Sequence, residues 1–258
     1  MRVLITFALE SEFAPWRAMH MFRSDKWGTA EVQVTEIGAA EVGVVLTGVG
    51  PAHGMRRAAD VLRAGASVDA CISSGVAGAL KDSYQIGQVL AARSLSSETR
   101  RAQGDAQALD CSAALVSFAG DCGATVVDRF YTAGRVIERA EDKRRLGKSA
   151  DAVEMESFEI LREAREAGVP GVAIRGISDL ANEDLPLDMS RILTDDGRVS
   201  MTRVLSEATL HPGSLPGLMK LGKQSKQAAE ALASFLDKYV AMIAGRMGNL
   251  EAKAEAAT

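Results

Sequence analysis

Ala152 to Asp179 reads AVEMESFEILREAREAGVPGVAIRGISD. A short apolar start, Ala152 to Met155, runs into a helical pattern; Gly168, Val169 and Pro170 end that helix, and a second apolar run, GVAIRGI, follows. The order is strand, helix, strand. A crossover of this kind usually joins parallel neighbours. The stretch therefore predicts that Glu154 and Glu156, at the end of one strand, and Ser178 and Asp179, at the end of the next, open on one sheet edge. Ligands of open α/β sheets bind at that edge. Each motif also has a plainer reading, Glu-Met-Glu as a strand end entering a helix and Ser-Asp as a helix N-cap.

Upstream, Val3 to Leu9 is a continuous apolar run that suits a strand buried on both faces, followed by Glu10-Ser11-Glu12 and a helix through Trp16 and Met19. Acidic residues there favour a first helical turn, which is one reading of Glu12. Val32 to Ile37 and Glu41 to Thr47 form a strand pair turned at residues 38–40. Gly48-Val49-Gly50-Pro51 then opens a helix to about Arg63, with Gly65 as its cap. A glycine turn before a helix lets backbone N–H groups approach an anion or a ribose, or is simply a tight turn; the spacing is neither GxGxxG nor a P-loop. Asp69 to Ser74 reads as another buried strand, Gly87 to Ser94 as an outgoing one and Ala124 to Tyr131 as a further one. No chemistry is assigned to residues 96–123.

Val153-Glu154-Met155-Glu156 followed by Arg175-Gly176-Ile177-Ser178-Asp179 resembles the paired signature of the nucleoside phosphorylase and nucleosidase superfamily, of PNP/UDP phosphorylase type, and above all its branch of 5′-methylthioadenosine/S-adenosylhomocysteine nucleosidases. Ala8-Leu9-Glu10-Ser11-Glu12 is similar to the Ala-x-Glu-x-Glu with which those nucleosidases begin. Ser74-Gly75-Val76 resembles their Thr-Gly-x turn against the ribose, with Ser74 for Thr and Val76 where a small polar residue is common. Residues 132–137 stand where relatives hold the purine. They lack the relatives' Asp and offer Val136, or by a small shift Phe130 or Tyr131, as the apolar face, with Arg135 either a ligand contact or a surface residue.

The resemblance implies a single-domain, three-layer α/β/α fold with a central twisted mixed sheet. It implies hydrolysis of a purine nucleoside, a 5′-substituted adenosine such as methylthioadenosine, adenosylhomocysteine or an adenosylhopane-like lipid. Asp179 would be the acid for the leaving base, oriented by Ser178, and Glu12 would activate water. Glu156 would grip ribose hydroxyls, Met155 would wall the sugar, and Gly50, Ser74, Gly75 and Val136 would complete the pocket. Glu154 would point the other way, because successive strand residues alternate faces. No metal or cofactor is expected, and the resemblance carries a homo-oligomer.

At 258 residues, with 47% hydrophobic and 25% charged residues, the chain suits one large α/β domain. The expected domain is 1–247, with an insertion at about 180–222, a last helix from about Gln224 to Ile243 and a flexible tail over 248–258. The insertion reads as a wall for a larger, apolar substrate or as an oligomer contact or surface elaboration. A net charge of −4 gives no case for nucleic acid, and no apolar stretch is long enough for a membrane span. Cys71, Cys111 and Cys122 lie in no CxxC or metal-ligand spacing and read as reduced thiols of a cytoplasmic protein. Two alternatives stand beside the hydrolase. One is a phosphorylase using Arg56, Arg57 or Arg135 on phosphate, although neither ALESE nor SSGVAG carries the arginine its relatives use. The other is a catalytically silent nucleoside-binding module.

Overall fold

The computed structural model describes residues 1–63, 67–99, 108–186, 194, 197, 200 and 212–255. Strand β1 (Arg2–Phe7) is apolar on both sides and buries Val3, Leu4 and Ile5 completely. Helix α1 (Glu10–Arg17) folds back on it through Phe13 and Trp16, whose rings lie 5.5 and 6.4 Å from that of Phe7. Each buried aromatic of this kind stabilises the docked helix by ~2 kcal/mol. Glu12, between those two anchors, is thereby fixed at the end of β1.

β2 (Arg23–Trp27), β3 (Ala30–Ile37) and β4 (Ala40–Leu46) form an antiparallel meander, and α2 (Pro51–Leu62) follows. Next come β5 (Ala70–Ser73), β6 (Val76–Ala79), β7 (Val89–Ser97), β8 (Leu109–Asp110), α3 (Ala113–Asp121) and β9 (Thr125–Thr132). The chain continues through α4 (Ala140–Leu146), β10 (Ala152–Glu154), α5 (Ser157–Glu166) and β11 (Gly171–Asp179), and ends in α6 (Leu215–Glu255).

One mixed sheet runs β2-β3-β4-β1-β5-β11-β6-β10-β9-β7-β8. β4, β1, β5 and β11 are parallel, so their C-terminal ends share an edge. A further antiparallel pairing of β11 with β7 closes β11, β6, β10, β9 and β7 into a five-stranded ring. Helices α2 and α5 pack on one face of the sheet and α1, α3 and α6 on the other, which gives the three layers. Leu232, Leu236, Tyr239, Val240 and Ile243 form the buried stripe of α6, spaced as one helix face.

The expected parallel pairing of β10 with β11 is not what forms. β6 lies between them, antiparallel to β10 and parallel to β11, so β10 and β11 run in opposite directions. The carboxylates still converge, because β6 leaves the C-terminal end of β5 and β10 runs back along it toward the same junction. α6 starts at Leu215 rather than near Gln224 and its helical backbone continues to Glu255. Pro216 is compatible with that start, since the first-turn N–H groups of a helix have no intrahelical partner. About half of the segment expected as an insertion, and Gly65, fall outside the described residues. Among the described residues no helix is long and apolar enough to cross a membrane.

Candidate active site

Glu12 occupies the third position of α1. Its Oε2 accepts the backbone N–H of Leu9 at 2.9 Å and its Oε1 that of Val76 at 3.0 Å, so the helix-start role and the pocket role are held by one side chain. Gly75, at φ +138°, makes the approach possible: a Cβ there would stand 3.0 Å from Oε1. Burial raises the affinity of Glu12 for a proton, against the pull of the Val76 and Leu9 amides.

Below the cavity, Arg175 is 1% exposed and spends its guanidinium on the protein. It donates to Glu154 Oε2 at 2.7 Å, Ser157 Oγ at 2.8 Å and Ser73 Oγ at 3.2 Å. Glu154 also accepts the N–H groups of Glu156 at 3.0 Å and Ser157 at 2.7 Å, which satisfies the start of α5, and it bonds Thr132 Oγ1. Its carboxylate is thus engaged in this network while Glu154 also lines the cavity; what sets it apart from Glu156 is that β10 ends at Glu154 and Glu156 stands at the start of α5. Glu156 is held differently: Oε1 accepts the N–H of Gly50 at 2.7 Å, and Oε2 lies 4.0 Å from Arg175. Burial, and then the negative charge of Glu154, push the Glu156 carboxyl up to about 8.

At the end of β11 the register shifts between Ile177 and Asp179, so Ser178 is an extra residue opposite β6. A bulge of this kind suspends the alternation and lets Ser178 and Asp179 both face the cavity. Asp179 Oδ1 accepts from Ser178 Oγ at 2.9 Å, while Ala77 O stands 3.3 Å from the same hydroxyl as a second acceptor. Oδ2 lies over Gly78, where a Cβ would come within 2.8 Å, and pairs with Lys143 of α4. Lys143 was missed by sequence reading. Nothing in Glu141-Asp142-Lys143-Arg144-Arg145 marks the buried lysine among its exposed and half-buried neighbours.

A cavity of about 220 Å³ gathers Glu12, Met155, Glu156, Ser178, Asp179 and Val136. The other expected residues stand behind it. Gly50 acts on Glu156 rather than facing the cavity, Gly75 gives Glu12 room, and the buried Ser74 hydroxyl has no hydrogen-bond partner among the described residues. Phe130 belongs to the main core and Tyr131 packs with Leu80, Ala150 and Val153, so the apolar wall near Asp179 is Val136, Ile137 and Val153. The points where Glu12 and Asp179 touch β6, Val76 and Gly78, are two residues or ~7 Å apart along the strand.

Residues 3–206 match the family described as the Phosphorylase superfamily. The chain belongs to that superfamily. Among solved structures, 5′-methylthioadenosine/S-adenosylhomocysteine nucleosidase from Helicobacter pylori shares 20% identity at a TM-score of 0.71, over 93% of this chain and 97% of that one. The same enzyme from Neisseria meningitidis gives 20% and 0.71 over 93% and 99%. Futalosine hydrolase of Helicobacter pylori gives 20% and 0.70 over 93% and 97%. A comparison with curated proteins finds no match.

Among the described residues the cavity has few cations. Arg135 is the one lysine or arginine among the described lining residues; it is exposed at the rim, and its guanidinium faces its neighbour's carbonyl, Val136 O, at 3.4 Å. Arg56 and Arg57 are exposed on α2, away from it. A second cavity of about 660 Å³ shares Leu9, Glu12, Val76, Leu221 and Ser225 with the first and runs on between α1 and α6 past Ala14, Pro15, Leu218 and Ala229.

Proposed function

We propose that the chain hydrolyses the N-glycosidic bond of a purine nucleoside, a 5′-substituted adenosine, with water as nucleophile. The observation that carries this reading is the convergence of Glu12, Glu156 and Asp179 on one cavity, each held by different donors. As the bond from C1′ to the base nitrogen breaks, its electrons pass to the base and Asp179 delivers a proton there. Ser178 can serve the carboxyl before and after, donating to Oδ1 once it is a carboxylate and to Ala77 O while it still carries the proton. Water attacks C1′ from the opposite face and gives a proton to Glu12. The base leaves protonated and the sugar gains a hydroxyl, so atoms balance. Ribose hydroxyls donating to Glu156 supply the hydrogen bonds that burial denies its carboxylate, and negative charge beside the sugar favours an oxocarbenium-like transition state. The ~7 Å between the two contact points on β6 suits a bound water opposite a leaving group, as in inverting glycosidases.

The apolar character of the second cavity supports a hydrophobic group at the 5′ carbon. The adenine base follows from the resemblance and from the substrates named for the nucleosidase neighbours. Neither ALESE nor SSGVAG carries an arginine, and among the described lining residues Arg135 is the one cation, which favours water over phosphate, a dianion, as the nucleophile. The cytoplasm rests on reading Cys71, Cys111 and Cys122 as reduced thiols outside any CxxC spacing, and the homo-oligomer on the resemblance alone. The test is chromatographic release of free base from methylthioadenosine, adenosylhomocysteine, adenosine, inosine and futalosine, with and without phosphate. Adenine and free sugar without phosphate support the proposal. Release only with phosphate, giving sugar 1-phosphate, identifies a phosphorylase, and binding without release identifies a binding module.

A further inference from the structure

We propose that Lys143 is a positioning residue for the leaving-group acid, clamping Oδ2 of Asp179 so that Oδ1 is the working oxygen and holding a fixed positive charge where the acid becomes negative. This rests on the reading of Asp179 as the acid. Lys143 is 0% exposed, and burying an ammonium is unfavourable unless its protons are matched. They are matched completely: its three N–H donors meet Asp179 Oδ2, the Leu180 carbonyl at 3.0 Å and the Glu183 carbonyl at 3.0 Å. The ammonium therefore has no freedom to swing. It is absent from the described lining of the cavity, so it acts through Asp179 rather than on substrate.

Three elements meet at this clamp. α4 supplies the lysine, β11 the acid, and residues 180–185 the two carbonyls. That segment is tied back to α4 by Ala140 N–H on Asp184 Oδ1 at 2.7 Å and by Leu185 N–H on Glu138 O at 2.8 Å. The Glu183 carboxylate does not compete for the ammonium, because it faces Lys220 at 2.6 Å and Gln224 at 3.2 Å of α6. With Oδ2 wedged between Gly78 and Lys143, and Oδ1 beside a serine that can change acceptors, the carboxyl keeps one edge toward the cavity. Negative charge developing on it as the proton leaves is stabilised by a cation that needs no reorganisation.

A residue that works through the acid matters only when the leaving group needs a proton. A nitrophenolate departs without one. The experiment compares kcat/KM for the purine nucleoside with kcat/KM for the 4-nitrophenyl β-riboside bearing the same 5′ group, in wild type, Lys143→Met, Asp179→Asn and the double variant. The ratio of the two values cancels any difference in folded fraction. Lys143→Gln, which keeps donors for the carbonyls, replaces methionine if that variant does not fold. Lys143→Met should lower the ratio about 100-fold, and the double variant should be no worse than Asp179→Asn alone. An unchanged ratio, or a further loss in the double variant, would overturn the proposal and leave a purely structural lysine. Wild type that cleaves neither compound would instead remove the hydrolase reading, and this inference with it.

Discussion

Glu156→Gln should make the empty protein more stable while it damages function, and the gain should grow with pH. Glu156 is 7% exposed and its carboxyl is pushed from 4.5 to about 8, first by burial and then by Glu154. Below about pH 4.5 the folded and unfolded chains both hold this proton, so Glu156 contributes no slope. Between 4.5 and about 8 the native state keeps a proton that the unfolded state has lost, and stability falls as pH rises. At about 1.4 kcal/mol per pH unit the whole window is worth ~5 kcal/mol. Glutamine keeps an oxygen for the Gly50 N–H and carries no proton to lose. Urea unfolding of both proteins at about pH 5.5 and about pH 7.5 should therefore show the variant gaining ~3 kcal/mol on wild type between the two. In the same preparations kcat/KM should drop by at least about tenfold, since an amide accepts ribose hydroxyls less strongly than a carboxylate. A stability difference that is the same at both pH values would refute the account of Glu156 as a carboxyl strained by burial.

Glu12→Gln should abolish hydrolysis with nucleoside binding retained by calorimetry, and should also lower stability by ~1–3 kcal/mol, because one amide oxygen cannot accept both Leu9 and Val76 N–H groups. Asp179→Asn should lower turnover of a purine nucleoside by about 10³-fold, with the fold retained in denaturant melts, because the amide is nearly isosteric and keeps an oxygen for the Lys143 ammonium but has no proton to give. Gly78→Ala places a Cβ 2.8 Å from Asp179 Oδ2 and 3.3 Å from Val153 Cγ1. Turnover should fall at least about tenfold for an overpacking cost of only ~1–3 kcal/mol, and wild-type turnover in that variant would show that the acid does not depend on its seat.

The sequence announces what is buried on both sides and conceals what is exposed or short. β1, β5 and β11 are continuous apolar runs, legible because a strand covered on both faces has no polar residue to hide behind. β2, RSDKW, is an exposed edge strand whose polarity gives no period to read, and β6, VAGA, follows a glycine closely enough to look like the rest of a turn. The pairing of β11 with β7 joins residues more than eighty positions apart and has no local signal at all. Glu12, Glu156, Ser178 and Asp179 became candidates through the resemblance, at the ends of runs that read as strands; without it each had a plainer reading as a helix start or strand end. Lys143 was not legible: its helix, AEDKRRL, has the composition of a solvated face, and its burial is decided by an acceptor 36 positions later.

The closed ring has a dynamic consequence. β6 and β10 are four and three residues long, below the usual strand length, and in an open sheet such strands would fray from a free edge. Here each lies between two strands, and the pairing of β11 with β7 leaves the five strands no free edge from which to fray, so their amides should exchange with solvent only when the ring opens. The floor of the site should then be part of the slowest-exchanging region of the protein. Loosening any one of the five strands should release all of them together, with loss of the catalytic geometry and loss of the fold occurring as a single event.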